Sequence, residues 1–61
     1  MRVRTLRLQR GLTQRQLADL ADLYHTTISE LERGVTRPDI DTLKRIAAAL
    51  HVPIGELLDG T

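Results

Sequence analysis

His25, Thr26, Ser29 and Glu30 lie close together and carry compact hydrogen-bonding groups. Threonine and serine hydroxyls donate or accept and are small enough to approach a flat surface closely. An imidazole can bond a purine edge, and a carboxylate can accept from a cytosine amino group. The chemistry that such a set could do is recognition rather than bond-making. Arg33, at the end of the same stretch, reaches further and suits a phosphate oxygen. Gln14, opening the preceding segment, would combine its side chain with a helix N-terminus to grip another phosphate. Each residue also has a plain reading. Thr26 and Ser29 could be surface filler, Glu30 a solvated acid that repels DNA, and Arg33 a partner for the carbonyls of its own helix end. Only their joint placement distinguishes the two readings.

That placement depends on the helices. With His25 at zero and about 100° per residue, Ile28 and Leu31 fall at about 300° and 240°, one apolar side. His25, Thr26, Ser29, Glu30 and Arg33 fall between about 0° and 140° on the same wheel, the open side. A helix from about His25 to Arg33 is bounded by Gly34, with Pro38 just beyond. Before it, Thr13 and Gln16 have the spacing of a capping box that would open a short helix from Gln14 to about Ala21. Gly11 follows the basic segment Arg2 to Arg10 and supplies a left-handed stop for a first helix. Asp39 is placed to cap a fourth, Ile40 to Leu50, and Pro53 fits the first turn of a fifth carrying Ile54, Leu57 and Leu58.

No segment alternates with period two for long enough to make a strand, so an all-α bundle of five helices is expected. Its expected core holds Val3, Leu6, Leu12, Leu17, Ala18, Ala21, Leu23 and Ile28, then Leu31, Ile40, Leu43, Ile46, Leu50, Val52, Ile54 and Leu57.

Composition narrows the function classes. The 61 residues are read as one domain, 1–61, near the lower size limit for folding without staples. There is no cysteine, and His25 and His51 stand far apart, so neither a disulfide nor a metal site is expected. Asp39 and Asp41 invite a metal, but a helix cap and its neighbour account for them better. No nucleophile–base pair or glycine-rich phosphate loop is present, so neither an enzyme nor a cofactor is expected. With Tyr24 as the lone aromatic, a stacking platform for single strands is ruled out. No apolar run is long enough for a signal peptide or membrane span, and a cytoplasmic location is the default expectation. The net charge of +1 says little, but residues 1–18 sum to +5 and residues 19–61 to −4. One end should be electropositive, which suits a polyanion and would equally suit a solvated helix face.

Longer patterns now emerge: R-x-x-R-G-L-T-Q-x-x-L-A from Arg7 to Ala18 and I-S-x-L-E-R-G from Ile28 to Gly34. Arg37-Pro38 follows, then T-L-x-x-I-A-x-A-L from Thr42 to Leu50 and E-L-L from Glu56 to Leu58. Together they resemble the phage repressor/Cro, or Xre-like, helix-turn-helix proteins over nearly the whole chain. The resemblance implies a five-helix, lambda-repressor-like DNA-binding domain whose helices two and three form the helix-turn-helix, with dimers bound to two half-sites. By position it implies base reading by His25, Thr26, Ser29 and Glu30, and phosphate contacts by Gln14, Thr27 and Arg33. It also implies that Arg7 and Glu32 form a structural ion pair tying helix one to helix three.

The chain departs from the pattern at Asp22, where glycine is usual in the turn, and at Tyr24, where a serine or threonine cap is usual. Leu8 and Leu20 are apolar where polar residues are common, either as harmless surface leucines or as part of a partner contact.

Two functions are therefore expected to compete. One is a transcriptional regulator, a repressor acting as a homodimer on a palindromic operator in double-stranded DNA. The other is a protein-interaction module, antitoxin-like or an adaptor, using the C-terminal helix and the exposed leucines.

Overall fold

The computed structural model describes residues 1–58. Its helices are α1 (Val3–Gln9), α2 (Gln14–Ala21), α3 (His25–Glu32), α4 (Ile40–Leu50) and α5 (Ile54–Leu58). No strand occurs among the described residues, and none of their helices is long and apolar enough to cross a membrane.

The ends of the helices follow local chemistry. Thr13 Oγ1 accepts from the Gln16 N–H at 3.0 Å, while Gln16 Oε1 accepts from the Thr13 N–H at 2.8 Å, so the capping box that opens α2 is complete. Asp39 Oδ1 accepts from the Thr42 N–H at 2.8 Å and opens α4 in the same way. The turn between α2 and α3 is made by Asp22 in the left-handed conformation, φ 58° and ψ 47°, a region that aspartate enters more readily than most residues. There the Leu23 N–H returns to the Ala18 carbonyl at 2.8 Å. Arg45 supports the turn loosely, its Nη1 lying 3.3 Å from the Asp22 carbonyl while its Nε holds Asp41 at 2.9 Å. After α3, Gly34 takes φ +73° with open space where a Cβ would stand. Backbone conformation, not crowding, therefore calls for glycine there.

Tyr24 stands at the N-cap of α3 with extended φ and ψ and makes no side-chain cap hydrogen bond. This end of the helix thus lacks a stabilising bond that a hydroxyl on Cβ would supply. Tyr24→Thr is expected to raise stability by about 1 kcal/mol, read as a higher urea midpoint at unchanged m-value. A midpoint at or below the parent's would contradict it.

The helices pack around one apolar cluster. α2 lies against α3 and α4, α1 crosses α3 and α4, and α5 closes on α4. Leu17, Ile28, Ile46, Leu50 and Leu57 are fully buried, with Val3, Leu6, Ala18, Ala21, Leu31 and Ala47 around them. Leu12, Leu23, Leu43, Val52 and Ile54 pack, half-buried, against the rim. The two ends of the described chain meet: the Arg2 N–H donates to the Leu57 carbonyl at 2.8 Å, and Arg2 Nη1 binds Glu56 at 3.0 Å.

Three sequence expectations need correction. Ile40 is not in the core but 60% exposed, because as the first residue of α4 it projects before the helix has packed against a neighbour. Helix three ends at Glu32, with Arg33 as its C-cap rather than its last turn. Pro53 precedes α5 instead of opening it, and its carbonyl accepts from the Glu56 N–H at 3.0 Å.

Candidate nucleic-acid interface

α3 presents two faces. Ile28 and Leu31 are buried, while His25 and Thr26 are exposed and Thr27, Ser29 and Glu30 half-buried. The hydroxyl, imidazole and carboxylate groups thus line the side of α3 away from the core. Arg33 stands exposed just past the last turn. Beside α3, α2 brings its N-terminus, where the first backbone N–H groups have no carbonyl one turn back to bond. Thr13 takes the Gln16 N–H, and those of Gln14 and Arg15 have no acceptor among the described residues. Two helices joined by a left-handed turn therefore set a polar face and a helix N-terminus side by side, the arrangement in which one element meets base edges and the other a phosphate.

Behind this surface lies a buried polar junction. Arg7 Nε donates to Glu32 Oε2 at 2.6 Å and Arg7 Nη2 to Glu32 Oε1 at 3.0 Å, a bidentate pair between α1 and α3. Arg7 Nη1 also donates to the Leu12 carbonyl at 2.7 Å. The Arg7 and Glu32 side chains are only 10% and 5% exposed. Burial by itself would raise the Glu32 carboxyl. The hydrogen bonds from Arg7 and Gln14, with the charges of Arg7 and Arg4, outweigh it and hold the group below the usual glutamate value. The same hydrogen bond to Glu32 raises Arg7.

Gln14 joins this junction, its Nε2 donating to Glu32 Oε1 at 3.1 Å. No spacing in the sequence indicates that bond, since it depends on α2 and α3 meeting at this one point. It fixes the side chain at the start of α2 and leaves the carbonyl oxygen and the second amide N–H without a partner among the described residues.

The distribution of charge also changes once the pairs are seen. Arg7 is consumed by Glu32 and Arg2 by Glu56. Of the basic N-terminal residues, Arg4, Arg10 and Arg15 remain exposed and unpaired among the described residues. The electropositive surface is smaller than the sequence sum suggests. Tyr24, 82% exposed at the start of α3, is a part of this surface that its sequence position alone does not indicate. Asp39 and Asp41 are engaged by Thr42 and Arg45, and no metal-ligand cluster occurs among the described residues.

A bundle with this helix pair, capped and buried in this way, is a helix-turn-helix domain. The family profile described as helix-turn-helix, of the HTH_3 type, matches residues 3–57, and the chain belongs to that Xre-like family. Among its relatives is the HTH-type transcriptional regulator DdrOP3 of Deinococcus deserti, 37% identical over 59 residues that cover 97% of this chain and 46% of the relative. The control protein C.BamHI of Bacillus amyloliquefaciens is 39% identical over 61 residues, covering 98% of this chain and 75% of that protein. The immunity repressor protein of Bacillus phage phi105 is 33% identical over 57 residues, covering 93% and 40% respectively. The chain thus spans less than half the length of the Deinococcus and phage relatives.

Proposed function

We propose that this chain is a sequence-specific double-stranded DNA-binding module of a transcriptional regulator, acting in the cytoplasm as a repressor and a homodimer on a palindromic operator. The observation that carries the reading is the polar face of α3, opposite buried Ile28 and Leu31 and beside the open N-terminus of α2. Kinship with a phage immunity repressor and a control protein supports the regulatory role. In this reading α3 enters the major groove. His25, Thr26, Ser29 and Glu30 meet base edges, while Gln14, Thr27 and Arg33 hold the flanking phosphates. The Arg7–Glu32 pair touches no DNA and fixes the angle between α1 and α3. The bound dimer then blocks polymerase sterically.

Selection of bound sequences from a random duplex pool at near-physiological salt tests this. An inverted repeat with half-sites about 34–36 Å apart, one helical turn, is the expected enrichment, and no enrichment from folded protein overturns the reading. On the selected site, Arg33→Ala is expected to weaken binding to all sequences alike and to lower the salt slope by about one. Ser29→Ala is expected to alter preference at one base position by about 1–3 kcal/mol. If both variants lose affinity equally on every site, the division of roles is wrong.

A further inference from the structure

An open groove of about 560 Å³ runs between the N-terminal end of α1, the C-terminal end of α3 with the loop that follows it, the first turn of α4, and α5. Its floor is the outer edge of the core at Val3, Leu31 and Leu43, and Leu58, 49% exposed, forms part of its wall. Arg4, Arg33 and Arg37 also line it. All three are exposed, and none makes an ion pair or side-chain hydrogen bond among the described residues. Among the described residues the single carboxylate at the groove, Glu32, is already held by Arg7 and Gln14. The site therefore offers an apolar floor and three cations, with no free acid among the described residues to meet them.

We propose that this groove docks an acidic peptide segment of a partner protein, its apolar side chains on Val3, Leu31, Leu43 and Leu58 and its carboxylates on Arg4, Arg33 and Arg37. Charge decides against the other occupants. A second copy laying the same groove against this one across a two-fold axis would bring both sets of arginines together, with no free carboxylate among the described groove residues to separate them. A DNA backbone could meet Arg33 but has no apolar group to cover the floor. The docking does not depend on the DNA reading. Competition between segment and operator does rest on it, because Arg33 would serve both.

The test is a titration of the protein with the acetylated peptide Asp-Glu-Leu-Phe-Glu-Asp, followed through backbone amide NMR shifts. One control replaces its acids by Asn and Gln, and the other replaces Leu-Phe by Gly-Gly. Saturable shifts confined to the amides around Gly34, Thr36, Leu43 and Leu58, absent with either control, are expected. The double variant Arg4→Gln with Arg37→Gln changes only exposed side chains and should keep its circular dichroism while losing about tenfold or more in peptide affinity. No saturable shift at millimolar peptide overturns the proposal. Equal binding of the Gly-Gly control does so too, since it would show charge attraction without a groove. Shifts at the same amides that grow with protein concentration alone would assign the groove to a second copy and also overturn it. The readout needs no DNA, so a chain that binds the peptide but no duplex keeps this proposal and loses the operator reading.

Discussion

Arg7→Ala is expected to cost about 3–5 kcal/mol, because it leaves the Glu32 carboxylate buried without its bidentate partner. Glu32→Ala is expected to cost a similar amount, since it strands the Arg7 guanidinium and frees the Gln14 amide. Against the stability of about 3–9 kcal/mol ordinary for a chain of this size, either change brings the domain to the edge of unfolding. Replacing both residues with apolar ones, Arg7→Met with Glu32→Leu, removes the stranded charge. It should cost distinctly less than the two single changes added together, leaving only the Leu12 carbonyl and the Gln14 amide to find water. Urea denaturation of the three variants and the parent gives the cycle. Additive single losses, or losses below about 1 kcal/mol, would show that the pair behaves as an exposed one.

Acid should work on the same junction. Glu32 and Asp39 are both held below their ordinary values, Asp39 chiefly by its hydrogen bonds from Thr42. Folding therefore gains stability from them above the carboxylate range, and loses it as pH falls past 4.5 for Glu32 and 3.8 for Asp39 toward the depressed folded values. In Arg7→Met with Glu32→Leu the loss across that window should shrink.

Ile46→Ala is expected to cost about 4 kcal/mol and Leu31→Ala about 2–3 kcal/mol, within the usual range for truncated core residues. The order follows from where each void would open. Ile46 is wholly enclosed at the centre of the bundle, so its cavity has no route to collapse. Leu31 is 5% exposed and borders the groove beside α5, where neighbours can close in or water can enter. Denaturant unfolding of the two variants decides it. Equal losses, or a larger one at Leu31, would mean that the groove wall is as rigid as the core.

Much of this was readable along the chain because its causes are local. Thr13 with Gln16, Asp39 before α4 and Gly34 after α3 each act within a turn of the helix that they bound, so their spacing in sequence is enough. The faces of α3 follow from the angle between successive residues. What failed, or arrived only through family resemblance, depends on residues distant in sequence. Ile40 keeps the apolar spacing of α4, but no other helix reaches its position. Ala47 lies on the same stripe and is absent from the expected core, yet at 3% exposure it sits where α4 meets its neighbours. The Arg7–Glu32 pair spans 25 positions, and Gln14 joins it only because α2 and α3 cross there. The groove is assembled from four separate segments, and no local pattern marks it.

Tyr24 has one more consequence. The chain contains no tryptophan, no phenylalanine and a single tyrosine, and that ring stands 82% exposed at the entrance to α3. Every bit of intrinsic near-ultraviolet emission thus comes from one point on the surface proposed to meet DNA, and none from the core. Tyrosine fluorescence would report an approaching duplex without any attached dye, while remaining nearly blind to loosening of the bundle. Unfolding has to be followed through helical circular dichroism, and the two signals can be read in one sample without confusing binding with folding.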